Sequence, residues 1–323
     1  MKKHKICKIL LVILAILLCV AFYELLGICV AYKKQPEVSN TTKKETKNGS
    51  WNECSENTER AVIIEKNPEA LLQRVRLIKN AKKEIILSTF AFQSDESGKL
   101  ILGALHDAAD RGVHIRLLVD GMESWIDMEG NPYFYGLSSH ENVEIKLYNK
   151  ANPLKPWKMM GRMHDKYLIA DGKRYILGGR NTYNYFLGDF PGHKNYDRDV
   201  LVVCDEPEKE NSVNQLSEYF ETIWNQEDSG YFHNNKKLAN RKSVKNAVLE
   251  LQNSYQKYFE ENKERICETD YTDETFETEK ITLVSNPIHT GSKEPVVWYQ
   301  LGELMKNAKN RVKIHTPYII CND

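Results

Sequence analysis

Neither sign of charge is in excess in this 323-residue chain, which has 45 Lys and Arg against 45 Asp and Glu. Nothing in the net charge therefore steers it towards a polyanion such as DNA, and nucleic acid is not the favoured partner, although a local basic patch could still bind one. None of the seven cysteines forms a C-x-x-C pair, and no His, Cys or carboxylate cluster has ligand spacing, so no metal site is signalled. Cys54, Cys204, Cys267 and Cys321 leave disulfides open. Also missing are a glycine-rich phosphate loop ending in Lys-Ser/Thr and a G-x-S-x-G elbow, which argues against nucleotide-loop and serine-hydrolase chemistry. No cofactor is implied.

There is one long apolar run, Ile9 to Ala31, broken by a single charge, Glu24, and preceded by Lys2, Lys3, Lys5 and Lys8. A bilayer span needs about 20 residues, whereas the apolar part of a cleavable signal is about 7–15 and ends in a small-residue site that is absent here. Residues 1–32 therefore read as a retained anchor, making this a single-pass protein of the cell membrane. Lys33 and Lys34 nearly balance the first lysines, but a short tail with four lysines is hard to translocate. Long domains cross largely regardless of charge, so the domain is expected outside the cytoplasm.

Residues 33–60 are polar and read as a tether. Helical apolar spacing over Pro68–Ala81, Gly98–Gly112 and Ser212–Trp224 is interleaved with β-branched runs over Glu84–Phe92, Val113–Asp120 and Asp199–Val203. Such alternation predicts an α/β lobe, placed at 61–235. A charged helical connector, Lys242 to Cys267, and an acidic threonine-rich linker occupy 236–278. "LIKNAKKEIILSTFAF" (Leu77–Phe92) and "LMKNAKNRVKIHTPYI" (Leu304–Ile319) align without a gap, so 279–323 reads as the start of a second, similar lobe.

The stretch "MHDKYLIADGKRYILGGRN", Met163 to Asn181, carries the chemistry. It reads as an exposed-edge hairpin. His164 and Lys166, two apart, share one face of a strand, with Tyr167 and Ile169 turned to the core. An imidazole beside an ammonium outlines a phosphate site. Asp171-Gly172 is a hairpin turn. Gly178 and Gly179 let backbone N–H groups approach an anion, and Asn181 adds a donor.

His164-x-Lys166-x₄-Asp171-x₆-Gly178-Gly179-x-Asn181 resembles the signature of the phospholipase D superfamily. "VHIRLLVD", "YDRDVLVV" followed by Phe220 and Trp224, and "TPYIICND" resemble bacterial cardiolipin synthases, from about Pro68 to the end. The resemblance implies a phospholipase D-like lobe, a mixed sheet flanked by helices, acting on phospholipid in a membrane through a phosphohistidine. His164 would be the nucleophile and Asp199 the acid that fixes its tautomer. Lys166 and Asn181, with Gly178 and Gly179, would hold the phosphate. Asp171 either supports Lys166 or serves only the turn. "KPWKMMGR" (Lys155–Arg162) is an ordinary loop or a headgroup contact. A nuclease-like phosphodiesterase and a catalytically silent phosphate-binding scaffold are the alternatives.

The family uses two His-x-Lys motifs, and this sequence has one. A second lobe or a second copy in a homodimer must then complete the site. The restarted repeat favours the lobe and a truncated chain, and the 323 residues alone are expected to be inactive.

Overall fold

The computed structural model describes residues 2–47, 59–204, 206, 211–233 and 235–314. Helix α1 (Lys2–Tyr32) contains a 28-residue segment, Lys5–Tyr32, long and apolar enough to cross a membrane, with a mean hydropathy of 2.9 over an 18-residue window. α2 (Asn40–Lys47) forms inside the predicted tether. It has no apolar face of its own. Glu294 holds it instead, its Oε1 accepting from Ser39 N–H at 2.8 Å and Thr42 Oγ1–H at 2.7 Å.

The lobe begins with β1 (Glu59–Ile64) and α3 (Asn67–Asn80), whose first turn carries Pro68 and Glu69, residues suited to a helix N-terminus. β2 (Glu84–Thr89) follows, then α4 (Glu96–Asp110), capped by Asp95, which accepts from Gly98 N–H at 3.0 Å. β3 (His114–Asp120), α5 (Gly121–Asp127), α6 (Pro132–Ser138) and β4 (Val143–Tyr148) come next. The motif hairpin is β5 (Tyr167–Ala170) and β6 (Arg174–Gly178), and β7 (Asp199–Cys204), α7 (Ser212–Trp224) and β8 (Ser229–Tyr231) complete the central part. α8 (Lys242–Glu261), α9 (Lys263–Cys267), β9 (Phe276–Glu277) and α10 (Val296–Lys306) end the described chain.

The strands form one sheet in the order β8-β4-β3-β2-β5-β6-β7-β1-β9, parallel through β2, β3 and β4 and antiparallel elsewhere. One face packs Leu117, Leu168, Ile176 and Leu201 against α3, α4, α6 and α8. The other packs Ile86, Tyr167, Ile169 and Val202 against Val213, Leu216, Phe220 and Ile223 of α7. The architecture is therefore a mixed sheet flanked by helices.

Two expectations need correction. The motif hairpin is central rather than at an exposed edge, because β5 pairs with β2 on one side and β6 with β7 on the other. Its "YLIA" run is apolar at every position, and all four residues are buried, the pattern of a strand covered on both faces. The turn is as expected, with positive φ at Asp171 (55°) and Gly172 (62°). The helical stretch after residue 236 is not a connector but part of the lobe. Val244, Ala247, Leu251, Tyr255 and Phe259 of α8 are buried at helical spacing. Gly103 of α4 admits this packing, since a Cβ there would lie 2.7 Å from both Leu251 O and Tyr255 Cβ. β9 likewise joins the sheet beside β1.

Of the predicted second lobe, α10 covers the helical half, and residues 312–314 adopt no strand. The rest of its expected strand, with the Thr316-Pro317-Tyr318 match, lies outside the described residues, as do Cys54 and Cys321.

If α8 belongs to the lobe, Leu251→Ala should lower unfolding stability by about 2–5 kcal/mol in denaturant titration. Leu249→Ala, at a position 57% exposed on the same helix, should change it by less than about 0.5 kcal/mol.

Candidate functional site

β2, β3 and β4 end, β5 begins, β6 ends and β7 begins at one edge of the sheet. Ligands in open α/β sheets gather at such a carboxyl edge, where chain reversals leave side chains pointing into a crevice. His164 and Lys166 lie there, in the irregular segment leading into β5, and Gly178 N–H donates to Lys166 O at 3.1 Å to hold it. His164 is exposed and Lys166 only 5% exposed. The His164 ring stands 4.7 Å from the Phe90 ring, centroid to centroid, and Lys166 Nζ lies 5.3 Å from that same ring. One aromatic side chain thus backs both groups.

Burial, and then the Lys166 charge, hold the His164 imidazole below its usual range. Burial likewise brings the Lys166 ammonium down to about 8, against the pull of Asp165, Asp197 and Asp120. At neutral pH the imidazole is therefore neutral while most of the ammonium remains charged.

Asp171 lies at the other end of β5 from Lys166. Its carboxylate accepts from the N–H groups of Lys82 (2.8 Å), Lys83 (2.7 Å) and Glu84 (3.0 Å), so it closes the turn and caps the approach to β2. The catalytic alternative for Asp171 is thereby corrected to the turn alternative. Asp199 is also placed differently from expectation. Its Oδ2 sits 3.0 Å from Arg74 and 3.2 Å from Arg180, and among the described residues no hydrogen bond joins it to His164. The glycines serve this acid. A Cβ on Gly178 would fall 2.0 Å from Asp199 Oδ1, and one on Gly179 would fall 2.0 Å from Asp197 Oδ2. Their lack of side chains makes room for carboxylates, and the Gly178 N–H is engaged by Lys166 rather than open to an anion. Asn181 is buried at the same edge, its Oδ1 accepting from Ala91 N–H at 3.2 Å, an orientation that turns its NH₂ the other way.

Three groups at this edge escaped the sequence reading. Asp197, two residues before Asp199 and so on the same face of an extended chain, is the carboxylate that faces Gly179 and acts on Lys166. That spacing was the available signal. Asp165 projects to the opposite side, where it accepts from Tyr219 O–H at 2.7 Å, and burial raises its pKa. Asp120, at the end of β3, caps α5 and also accepts from Met163 N–H at 3.1 Å, with Arg162 3.2 Å away. It thereby fixes the backbone directly before His164. Among the described residues no group of three His, Cys, Asp or Glu has metal-binding geometry.

Residues 74–224 match a family model described as "Cardiolipin synthase, PLD-like domain". A Helicobacter pylori (strain J99) protein is 30% identical over 212 residues, covering 61% of this chain and 39% of that protein. Cardiolipin synthase C of Escherichia coli K12 is 30% identical over 154 residues, covering 43% of this chain and 31% of that enzyme. Among solved structures, NucT from Helicobacter pylori superposes with a TM-score of 0.42 at 18% identity, over 54% of this chain and 99% of that one. The family match over residues 74–224 and the cardiolipin synthase relatives mark out a phospholipase D-like domain. Residues 74–224 are thus similar to the phospholipase D-like domain of cardiolipin synthases. The chain spans well under half the length of the curated relatives named here.

In an NMR titration the His164 ring should show a midpoint below 6.5. Lys166→Met should raise that midpoint without restoring it fully, since burial is the larger cause. Because folding lowers this pKa, the unfolded chain takes the proton first, and the group's share of stability is present above pH 6.5 and lost on acidification. Asp199→Asn should cost about 3–5 kcal/mol in denaturant titration, because it leaves two buried guanidinium groups without their carboxylate.

Proposed function

We propose that the chain is a membrane-anchored phosphodiesterase or phosphatidyltransferase acting on phospholipid, with His164 as nucleophile. The observation that carries the reading is an exposed, neutral imidazole beside a buried, largely charged ammonium at the carboxyl edge of the sheet. The His164 ring nitrogen would attack phosphorus, forming a P–N bond while the P–O bond to the leaving alcohol breaks with its electron pair. Water or a lipid hydroxyl would then attack the phosphohistidine, breaking the P–N bond and returning the imidazole. Lys166, with the Asn181 amide, would neutralise the non-bridging oxygens as charge builds. Asp197, whose charge acts on Lys166, would take the part of the supporting acid, since Asp199 is engaged by two arginines.

The leaving alkoxide needs a proton donor, and the single His-x-Lys motif of these 323 residues leaves that role to a second lobe or a second copy. Loss of a general acid typically costs about 10²–10⁴-fold. The apolar stretch of α1 would hold the domain to the cell membrane with the lobe on the extracytoplasmic side.

The test incubates full-length protein separately with phosphatidylglycerol vesicles and with single-stranded DNA, over a concentration series, with acid-labile adduct trapped on quenching. Lipid turnover by a chain that carries a second lobe, or by the 323 residues only in proportion to their dimer fraction, is expected, with an adduct abolished by His164→Asn but only slowed by Asp197→Asn. Turnover of DNA alone would overturn the lipid reading. Phosphate binding without turnover or adduct at any concentration would leave the scaffold alternative.

A further inference from the structure

The last third of α1 does not stand clear of the lobe. Tyr23 O–H donates to Leu154 O at 3.1 Å, and Ser292 Oγ–H donates to Ala31 O at 2.9 Å. Gly27 permits the contact, since a Cβ there would sit 2.5 Å from Pro156 Cγ. Trp157 lines a crevice with Phe22, Tyr23, Leu26, Gly27, Val30 and Ala31 of the helix. Residues 23–32 are thus laid along the lobe. What remains clear of the lobe is Lys5 to Phe22, about 27 Å at 1.5 Å per residue. Of this, Ile9–Phe22 is apolar, while Lys5 and Lys8 reach for the far headgroups of a hydrocarbon layer about 30 Å thick. Tyr23, with Leu154 and Trp157 beside it, is then held at the membrane–water interface, the level that Tyr and Trp prefer.

The loop that meets α1 is also the loop that ends in His164. Asp120 ties the two regions together, holding Arg162 and Met163 through one carboxylate while capping α5. At this edge large apolar side chains point outward: Trp125 is 70% exposed, Ile126 68%, Leu154 77%, Trp157 45% and Met160 58%. Isolated apolar side chains on a surface need no explanation, but a set on two segments at one edge, one of them packed on an apolar helix, does. Lys155 stands exposed among them, a cation suited to anionic headgroups.

We propose that the Leu154–Met160 loop and the Trp125-Ile126 face of α5 dip into the bilayer interface, so that the site edge opens directly onto lipid headgroups. The occupant is the bilayer that α1 spans, and the proposal rests on the anchoring stated above. A phospholipid need then only rise by part of its headgroup to bring phosphorus to His164.

The test uses the full chain in nanodiscs containing phosphatidylglycerol and brominated phosphatidylcholine. Brominated acyl chains should quench part of the tryptophan fluorescence, and that part should disappear in Trp125→Phe/Trp157→Phe, a conservative change at exposed positions. Flotation of the chain with vesicles is measured alongside. A chain that floats while its quenching is the same in the variant overturns the interfacial rim and leaves the anchor standing. A chain that does not float overturns both.

Discussion

Arg180 is 1% exposed in the core of the lobe, and its guanidinium is used on every side. It donates to Ile64 O at 3.2 Å, to Glu65 O at 2.6 Å, to Asn67 Oδ1 at 3.2 Å and to Asp197 O, and it pairs with Asp199 at 3.2 Å. Arg74 of α3 closes the cluster from the other side of the same carboxylate. A cation removed from water is tolerated only when every donor is answered, and here the carbonyls at the end of β1 and the acid at the start of β7 supply the answers. The consequence reaches the site by steric necessity. Because Asp199 and Asp197 must lie against the chain that brings in Arg180, the two residues before it can carry no side chain. The glycines attributed to phosphate on sequence grounds are there first to let the carboxylates in.

Much of the lobe was legible because its signals are local. α7 appears at the predicted residues, and α3, α4, β2, β3 and β7 within a few residues of expectation. The Asp171-Gly172 turn followed from its dipeptide. What was not legible is the pairing of strands distant in sequence. β1, a short run next to a polar stretch, becomes a strand because β7 offers it six partners, and no periodicity of its own announces this. The central position of β5 was in principle readable, since "YLIA" is apolar on both faces, but the His-x-Lys pattern before it suggests alternation and an edge. α8 carries enough charge to look like a connector, and its buried stripe gains meaning only against α4 and α6.

Within the motif, residue types were easier to read than their assignments. His164 and Lys166 do come together at the carboxyl edge. Of the acids, Asp171 and Asp199 turned out to be held by other partners, for reasons that lie outside the motif: the N–H groups approaching β2 in one case, and two arginines in the other. Asp197 was overshadowed by its neighbour because two acids in an extended chain with the same side-chain direction are indistinguishable without their surroundings. A net charge of zero likewise conceals local clusters, with Lys166 beside His164 and with Arg74 and Arg180 around Asp199.

The contact between Ser292 and Ala31 joins residues 261 apart in the chain. On a ribosome α1 is made first, whereas the segment that clasps its foot arrives only after the whole sheet has been synthesised. α1 must therefore wait, undocked, while the lobe folds. Its final orientation against the site edge becomes a late event of folding, governed by a long loop closure.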